Sequence, residues 1–308
     1  MKRVGIRVST TISDGRGHIE RCLAVRRYLS VSVIWFIDEK DLIILSKIPS
    51  SDKVIVESTK KSVANTIKSI TDEKIQTLII DSYNISNRLK ENLAKTIPVI
   101  LIEDSQTKLN VKMIVCPQPI EFKKIRGVVT LVGPKFAPIA TFKKKNFKQT
   151  SVHNKLINIL VSMGYADNKG VTCKVIEAIK NIMKKSNMKI STKILLGKSS
   201  PYLKTIMDKT NKEQQIELVI EPKNVNYYYS KSCIAIGAPG ISHIERLAVG
   251  LPTVLIAQNI IQEALVSKWA GQGYAIKATN SITSIEKSLL YMLGSKKVRD
   301  TIIKKGMK

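Results

Sequence analysis

Short runs of β-branched and apolar residues alternate with amphipathic stretches from the start of the chain. In the first half the runs are VGIRVS, VSVIWFI, KVIVE, TLIID, PVILIED, KMIVC and VVTLV. Between most of them lie stretches such as HIERCLAVRRYL and KSVANTIKSITD, whose apolar residues recur at spacings of three and four, the period of an amphipathic helix. The runs are short and apolar throughout, as strands buried on both faces must be. The pattern predicts an open parallel sheet with helices on both faces.

The rhythm breaks at TFKKKNFKQTSVHNK, residues 141–155, a polar and basic stretch that fits an interdomain linker. It resumes with NILVSM, the helical GVTCKVIEAIKNIM, STKILLG, IELVIEP, SCIAIG, a helix from about Ile241, PTVLIA, EALVSKWAGQG and a last helical stretch from about Ser281. Two α/β domains follow, 1–145 and 150–308, each a Rossmann-like unit whose parallel sheet faces a central cleft. In such sheets ligands sit outside the carboxyl ends of the strands, so the strand-to-helix loops carry the search for a site.

A length of 308 residues accommodates two such domains. With 44% hydrophobic and 24% charged residues the chain reads as globular rather than disordered. No apolar run approaches the roughly 18 residues of a membrane span, and the first strand-like stretch begins directly after MKR. A cytoplasmic protein without a membrane span is expected. Cys22, Cys116, Cys173 and Cys233 show no C-x-x-C pairing, which argues against a zinc site or a disulfide framework and for reduced, mostly buried thiols. The net charge of +27 suits anionic ligands such as diphosphates. Lysines are spread over nearly every segment and aromatics make up only 5%, so a dedicated nucleic-acid surface with interleaved stacking residues is not expected.

Two glycine-containing loops fail as nucleotide fingerprints. Gly15 and Gly17 begin a G-x-G-x-x-G pattern, but its third position is Glu20. GKSS at Gly197–Ser200 ends like a phosphate loop, but Thr192 stands where that loop needs its first glycine. No Asp-x-Asp pair occurs, so the common device for holding a divalent ion on a nucleotide sugar is missing. Neither a metal nor a cofactor is expected. The stronger signal is IAIGAPGISHIERLAVGLPTVLIAQNIIQ, residues 234–262. Here a strand ends at Gly237, a Gly-Pro-containing turn through Gly240 brings backbone close to any ligand, and a helix starts near Ile241. Its first N–H groups form an anion site suited to a diphosphate. Ser242 can add a hydroxyl, and Glu245, a turn into the helix, can accept hydrogen bonds from ribose; a surface glutamate on an ordinary α/β unit fits the motif equally.

His18 lies at the start of the first helix, beyond the first strand. The helix dipole there disfavours an imidazolium, which makes the ring a candidate general base, and Gly15 and Gly17 keep side chains out of the space before it. A lone histidine also fits a purely structural role. His153 and His243 have no comparable loop and read as solvated or packing residues. Arg21 could orient an acid or lie along the surface, and the helix HIERCLAVRRYL reads as core-packed with Arg21, Arg26 and Arg27 outward.

GRGHIERCL, IIDSYNIS, IEDS, GPKFAPI, VSMGYADNKG and IGAPGISHIERLAVGLPTVLI occur in this order from Arg7 to Tyr274. As a set they resemble the hydrolases of pseudaminic acid biosynthesis that remove UDP from UDP-2,4-diacetamido-2,4,6-trideoxy-β-L-altropyranose, and the related spore-coat polysaccharide proteins. The resemblance implies a GT-B-like fold whose second domain holds the nucleotide of a UDP-sugar substrate. It implies that His18 activates water against the anomeric carbon, that Tyr83 and the preceding Asp81 line the sugar pocket, and that Gly240, Ser242 and Glu245 grip UDP. The implied reaction is C–O cleavage with inversion and without a metal. Gly164 and Gln262 fall on further motif positions at the substrate.

The chain departs from the family pattern at four places. Ser9 replaces an Asp, Cys116 and Pro117 stand near an expected Asn, Tyr165 replaces a second glycine after Gly164, and Ile261 replaces the Asn of an Asn-Gln pair, with Asn259 two residues earlier. These changes bear on the sugar more than on UDP. Two other readings stand beside the hydrolase: a GT-B glycosyltransferase, and a non-catalytic polyanion or nucleic-acid binder on the same fold.

Overall fold

The computed structural model describes residues 2–11, 16–57, 63–140, 156–186 and 188–307. The chain divides into two compact units, Met1–Thr141 and Phe142–Lys308. The basic stretch expected as a linker, with His153, lies outside the described residues apart from their boundary, as does Gly15.

The first unit runs β1 (Arg3–Val8), α1 (Gly17–Arg26), β2 (Ser32–Ile37), α2 (Leu42–Leu45), β3 (Lys53–Val56), α3 (Val63–Asp72), β4 (Thr77–Asp81), α4 (Asn87–Thr96), β5 (Val99–Ile102), β6 (Met113–Cys116) and β7 (Val129–Val132). Its strands form one sheet in the order β3-β2-β1-β4-β5-β6-β7, and every pairing is parallel. Alternation along the strands feeds two cores. On one face Ile34, Phe36, Ile80 and Leu101 pack with Ile70 and Leu93 from α3 and α4. On the other, Ile6, Val8, Trp35 and Ile37 pack with Ile19, Cys22 and Leu23 from α1. Each such apolar side chain contributes about 1.5–3 kcal/mol on burial. The helix α1 is therefore pinned against the sheet by its apolar stripe, which fixes where its polar first turn ends up.

The second unit runs β8 (Ile157–Ser162), α5 (Val171–Lys185), β9 (Ile190–Leu196), α6 (Leu203–Thr210), β10 (Ile216–Ile220), α7 (Val225–Lys231), β11 (Ile234–Gly237), α8 (Ile241–Ala248), β12 (Thr253–Ile256), α9 (Ile260–Gly271), β13 (Ile276–Ala278), α10 (Ile282–Gly294) and α11 (Lys296–Gly306). The sheet order is β10-β9-β8-β11-β12-β13, again all parallel. The apolar runs anticipate the other strands, whereas the three-residue β13 is too short to show a periodicity. The strands β5, β6 and β7 follow one another without helices among the described residues.

Both sheets reverse their order of winding next to the first strand, between β1 and β4 and between β8 and β11. At such a switch point the connections leave to opposite faces and open a crevice at the carboxyl edge. Among the described residues no helix is long and apolar enough to cross a membrane. All four cysteines are free; Cys22 and Cys116 are buried, whereas Cys173 and Cys233 are only partly so, a correction to the expectation of mostly buried thiols.

Candidate functional sites at the two switch points

In the first unit, Asp81 is the last residue of β4 and pairs in register with Val8, the last of β1. His18 is the second residue of α1. The two meet at the carboxyl edge of the sheet, where His18 Nδ1 lies 2.5 Å from Asp81 Oδ1. Arg21, one turn further along α1, donates from Nε to Asp81 Oδ2 at 2.8 Å and from Nη2 to Asp81 Oδ1 at 2.7 Å. It also grips Asp104, beyond β5, through Nη1 at 2.8 and 3.0 Å. Arg21 Nη2 also lies 3.0 Å from His18 Nδ1.

These contacts assign the imidazole tautomer. A deprotonated Nδ1 would set its lone pair against a carboxylate oxygen at 2.5 Å, so Nδ1 carries the hydrogen and donates it to Asp81. In the neutral imidazole the basic lone pair is then on Nε2, which makes no hydrogen bond among the described residues. This is the relation of an orienting carboxylate to a general base.

Asp104 is kept charged by its neighbours. Burial opposes the charge on Asp104, but the Arg21 guanidinium and hydrogen bonds from Gln118 and Tyr83 outweigh it and bring the carboxyl down to about 2. Gln118 Nε2 donates to Asp104 Oδ1 at 2.8 Å, and the Tyr83 hydroxyl donates to Asp104 Oδ2. Burial likewise opposes the Arg21 charge, and Asp81 and Asp104 overcome it. Burial, reinforced by Asp81, pushes the Cys22 thiol well up, which leaves it a protonated neighbour rather than a nucleophile.

Two readings from sequence change here. Arg21 does not point outward: it is 4% exposed, because a spacing of three from His18 puts it on the same edge-facing side of α1. Asp81, expected as a sugar ligand, is fully buried and spends both oxygens on His18 and Arg21; it positions the histidine instead. Tyr83 is 56% exposed and sets its ring edge-on to His18 with centroids 4.4 Å apart, so it is the residue of this cluster that offers surface to a ligand. Arg26 pairs with Asp52 at 2.7 and 2.8 Å. At the family's Asp position, buried Ser9 accepts from Asn84 Nδ2 at 3.0 Å. Cys116 closes β6 in the core. Asp104 and Gln118 were not singled out from sequence, although Asp104 follows an apolar strand much as Asp81 ends one.

The second switch point gathers Gly164, Gly240, Ile241 and Ser242. Gly164 follows β8 with φ of +92°, a region that suits glycine. Gly240 caps α8, with nothing within 4 Å of where a Cβ would stand. Glu245 is part-buried and accepts the Tyr229 hydroxyl at 3.0 Å, so its carboxylate is held toward α7. Gln262 is built into the start of α9: its backbone N–H donates to Asn259 Oδ1 at 2.9 Å, and its Oε1 accepts from the Gln258 N–H at 2.9 Å. Asn259 is thus a helix cap. Gln258 itself donates from Nε2 to the Met163 carbonyl, tying the β12 loop to the β8 loop. Tyr165 is held within the second unit by Gly197 and Glu221. Its ring packs on Gly197 and its hydroxyl donates to Glu221. His243 is completely buried, edge-on to Trp269 at 4.7 Å, which is the packing role. Asp167, in the VSMGYADNKG motif, caps α5 through the N–H groups of Val171 and Thr172 at 3.0 and 2.8 Å. Among the described residues no group of three metal-ligating side chains comes together.

No family model matches the chain. It is 24% identical over 280 residues to an uncharacterised protein of Methanocaldococcus jannaschii, covering 84% of this chain and 56% of that protein. It is 26% identical over 138 residues to the spore coat polysaccharide biosynthesis protein SpsG of Bacillus subtilis, covering 44% and 40%. The chain thus spans about half the length of the curated relatives it matches. Among solved structures it resembles MurG of Acinetobacter baumannii, with a TM-score of 0.73 at 14% identity over 100% of this chain and 95% of that one. It also resembles the UDP-GlcNAc 2-epimerase of Neisseria meningitidis, solved with UDP-GlcNAc, with a TM-score of 0.64 at 13% identity over 98% and 94%. The chain therefore has a GT-B-like fold of two parallel-sheet Rossmann-like units and is similar over part of its length to a spore coat polysaccharide biosynthesis protein.

Proposed function

We propose that the protein hydrolyses a UDP-linked 2,4-diacetamido-2,4,6-trideoxyhexose to UDP and the free sugar, as a step toward a nonulosonic acid such as pseudaminic acid. The observation that carries this reading is the His18–Asp81 pair, with Nδ1 committed to the carboxylate at 2.5 Å and Nε2 left as the base. Nε2 takes a proton from water as the water oxygen forms its bond to the anomeric carbon. The anomeric C–O bond to the diphosphate breaks, its electron pair leaves with UDP, and the configuration inverts. UDP is a good leaving group, so one base and a set of N–H donors suffice. The first N–H groups at the start of α8 are such donors for the nucleotide diphosphate. On this reading the partner is a nucleotide sugar rather than a nucleic acid or a membrane, the reaction is cytoplasmic, and its chemistry needs no metal.

The test is incubation with the UDP-trideoxy-altrose sugar and EDTA, with UDP and sugar followed by NMR and His18→Gln run in parallel. Release of both products, lost in the variant, supports the hydrolase. Saturable UDP binding without release rejects hydrolysis of this sugar.

A glycosyltransferase reading uses the same base on an acceptor hydroxyl. It is favoured by Ile260 and Ile261, each 79% exposed at the start of α9 beyond β12, an apolar surface of the kind an acceptor uses. Product release that requires an added alcohol would select it.

A further inference from the structure

The sequence reading passed over Arg246, and none of the roles described above uses it. It lies on α8 and is 0% exposed. Its side chain runs back toward the start of its own helix, as helical side chains do. There Nη2 donates to the Ala238 carbonyl at 3.0 Å. A Cβ on Gly237 would stand 2.7 and 2.8 Å from Nη2 and Nη1, so the guanidinium lies against the end of β11, at the switch point itself. Only glycine at 237 leaves it room.

What sets this arginine apart is what it lacks. Nε and Nη1 are buried and have no hydrogen-bond partner among the described residues, and no carboxylate there forms an ion pair with it. Arg21 and Arg26, by contrast, are each gripped by carboxylates. A buried cation without a paired anion is expensive, by several kcal/mol for an ion removed from water, and such a group persists where something else balances it. His243, one turn earlier on α8, does not: burial, and then Arg246 itself, push its imidazole well down, so it carries no charge of either sign. Tyr229 on α7, and Glu245, which accepts the Tyr229 hydroxyl, offer partial compensation through space.

We propose that Arg246 is a positioning residue for the terminal diphosphate of the ligand: its buried guanidinium holds the Ala238 carbonyl from behind the turn and adds its charge to the anion site formed by the first N–H groups of α8. This deepens the nucleotide-binding reading and rests on it. The helix supplies directional donors and half a unit of positive charge; the arginine adds a full charge behind the Ala238–Gly240 turn. Such a site distinguishes ligands by phosphate charge, favouring a nucleoside diphosphate over the monophosphate and inorganic pyrophosphate over phosphate.

The experiment is calorimetric titration of the full chain and of Arg246→Lys and Arg246→Met with UDP, UMP and pyrophosphate, with thermal melting as the control for folding. The expected result is a loss of at least tenfold in UDP affinity in Arg246→Met, with a smaller loss for UMP, so that the preference for UDP collapses. Arg246→Lys should restore part of that preference, and it serves as the test if the methionine variant does not fold. Equal losses for UDP and UMP, or unchanged UDP affinity in a folded variant, overturn the inference while leaving the nucleotide reading intact. Pyrophosphate binding that depends on Arg246 in a protein that ignores UDP supports the anion site and overturns the nucleotide reading instead. Failure of the full chain to bind any of the three overturns both.

Discussion

Asp81 accepts the Nδ1 hydrogen of His18 at 2.5 Å, which turns the other ring nitrogen into the only basic atom the imidazole has left. The two residues are 63 positions apart and meet because β1 and β4 are neighbours in the sheet. If Nε2 is the base, His18→Gln removes the proton acceptor, while the glutamine amide can still donate to Asp81. Turnover should fall about 100- to 10,000-fold, with UDP affinity within twofold of the unaltered protein by calorimetry. Turnover retained in the glutamine variant excludes the histidine as base.

Asp81→Asn probes the orientation rather than the base. An amide at this position can offer a hydrogen to Nδ1 and drive the ring to the wrong tautomer, while it leaves Arg21 short of one acidic partner. We expect kcat to drop at least 100-fold with KM little changed, and urea denaturation to show a loss of about 3 kcal/mol, the scale of breaking a buried pair on one side. An equal rise in KM and no fall in kcat would instead place Asp81 on the substrate.

Asp104 makes a pH prediction. Its folded carboxyl lies at about 2 against an ordinary 3.8, so it binds fewer protons folded than unfolded at acid pH. Its stabilising contribution is full above about pH 4 and is lost as pH falls toward 2, on the order of 2 kcal/mol. Asp104→Asn should forfeit that amount at neutral pH and flatten the stability profile between pH 4 and 2, as followed by denaturant titration at a series of pH values. An unchanged acid limb would show that Arg21 and Gln118 do not hold this carboxylate in solution.

Glu245→Ala should weaken UDP binding about tenfold, the scale of one or two lost hydrogen bonds to ribose, and leave the rate at saturating substrate nearly unchanged. A fall in kcat at constant KM would assign it to chemistry instead. EDTA should alter neither parameter; an EDTA-sensitive rate restored by a divalent ion would contradict the proposed mechanism.

Much of the architecture was legible in the chain because buried parallel strands leave continuous apolar runs and their helices leave a three-and-four period. TLIID and IAIG each mark where a strand ends and a site begins. The side chains at those ends were harder to read. Arg21 resembles any helix-surface arginine until the sheet register brings Asp81 and Asp104 to it, and Asp81 resembles a ligand contact until its burial is known. Gln262 looked available in sequence and is occupied by the α9 cap. These roles depend on which distant strands become neighbours, and periodicity says nothing about that.

The strand order of the first sheet also has a bearing on how the chain is made. Every partner of β1 through β7 lies before Phe142, and the interior strand β1 acquires its second neighbour once β4 has been synthesised. At roughly 5–20 residues per second, translation of residues 142–308 takes about 10–30 s, far longer than a local α/β unit needs to collapse. The His18–Asp81 pair can therefore assemble on the ribosome before the second sheet exists, and a stalled or truncated product would carry a formed histidine dyad.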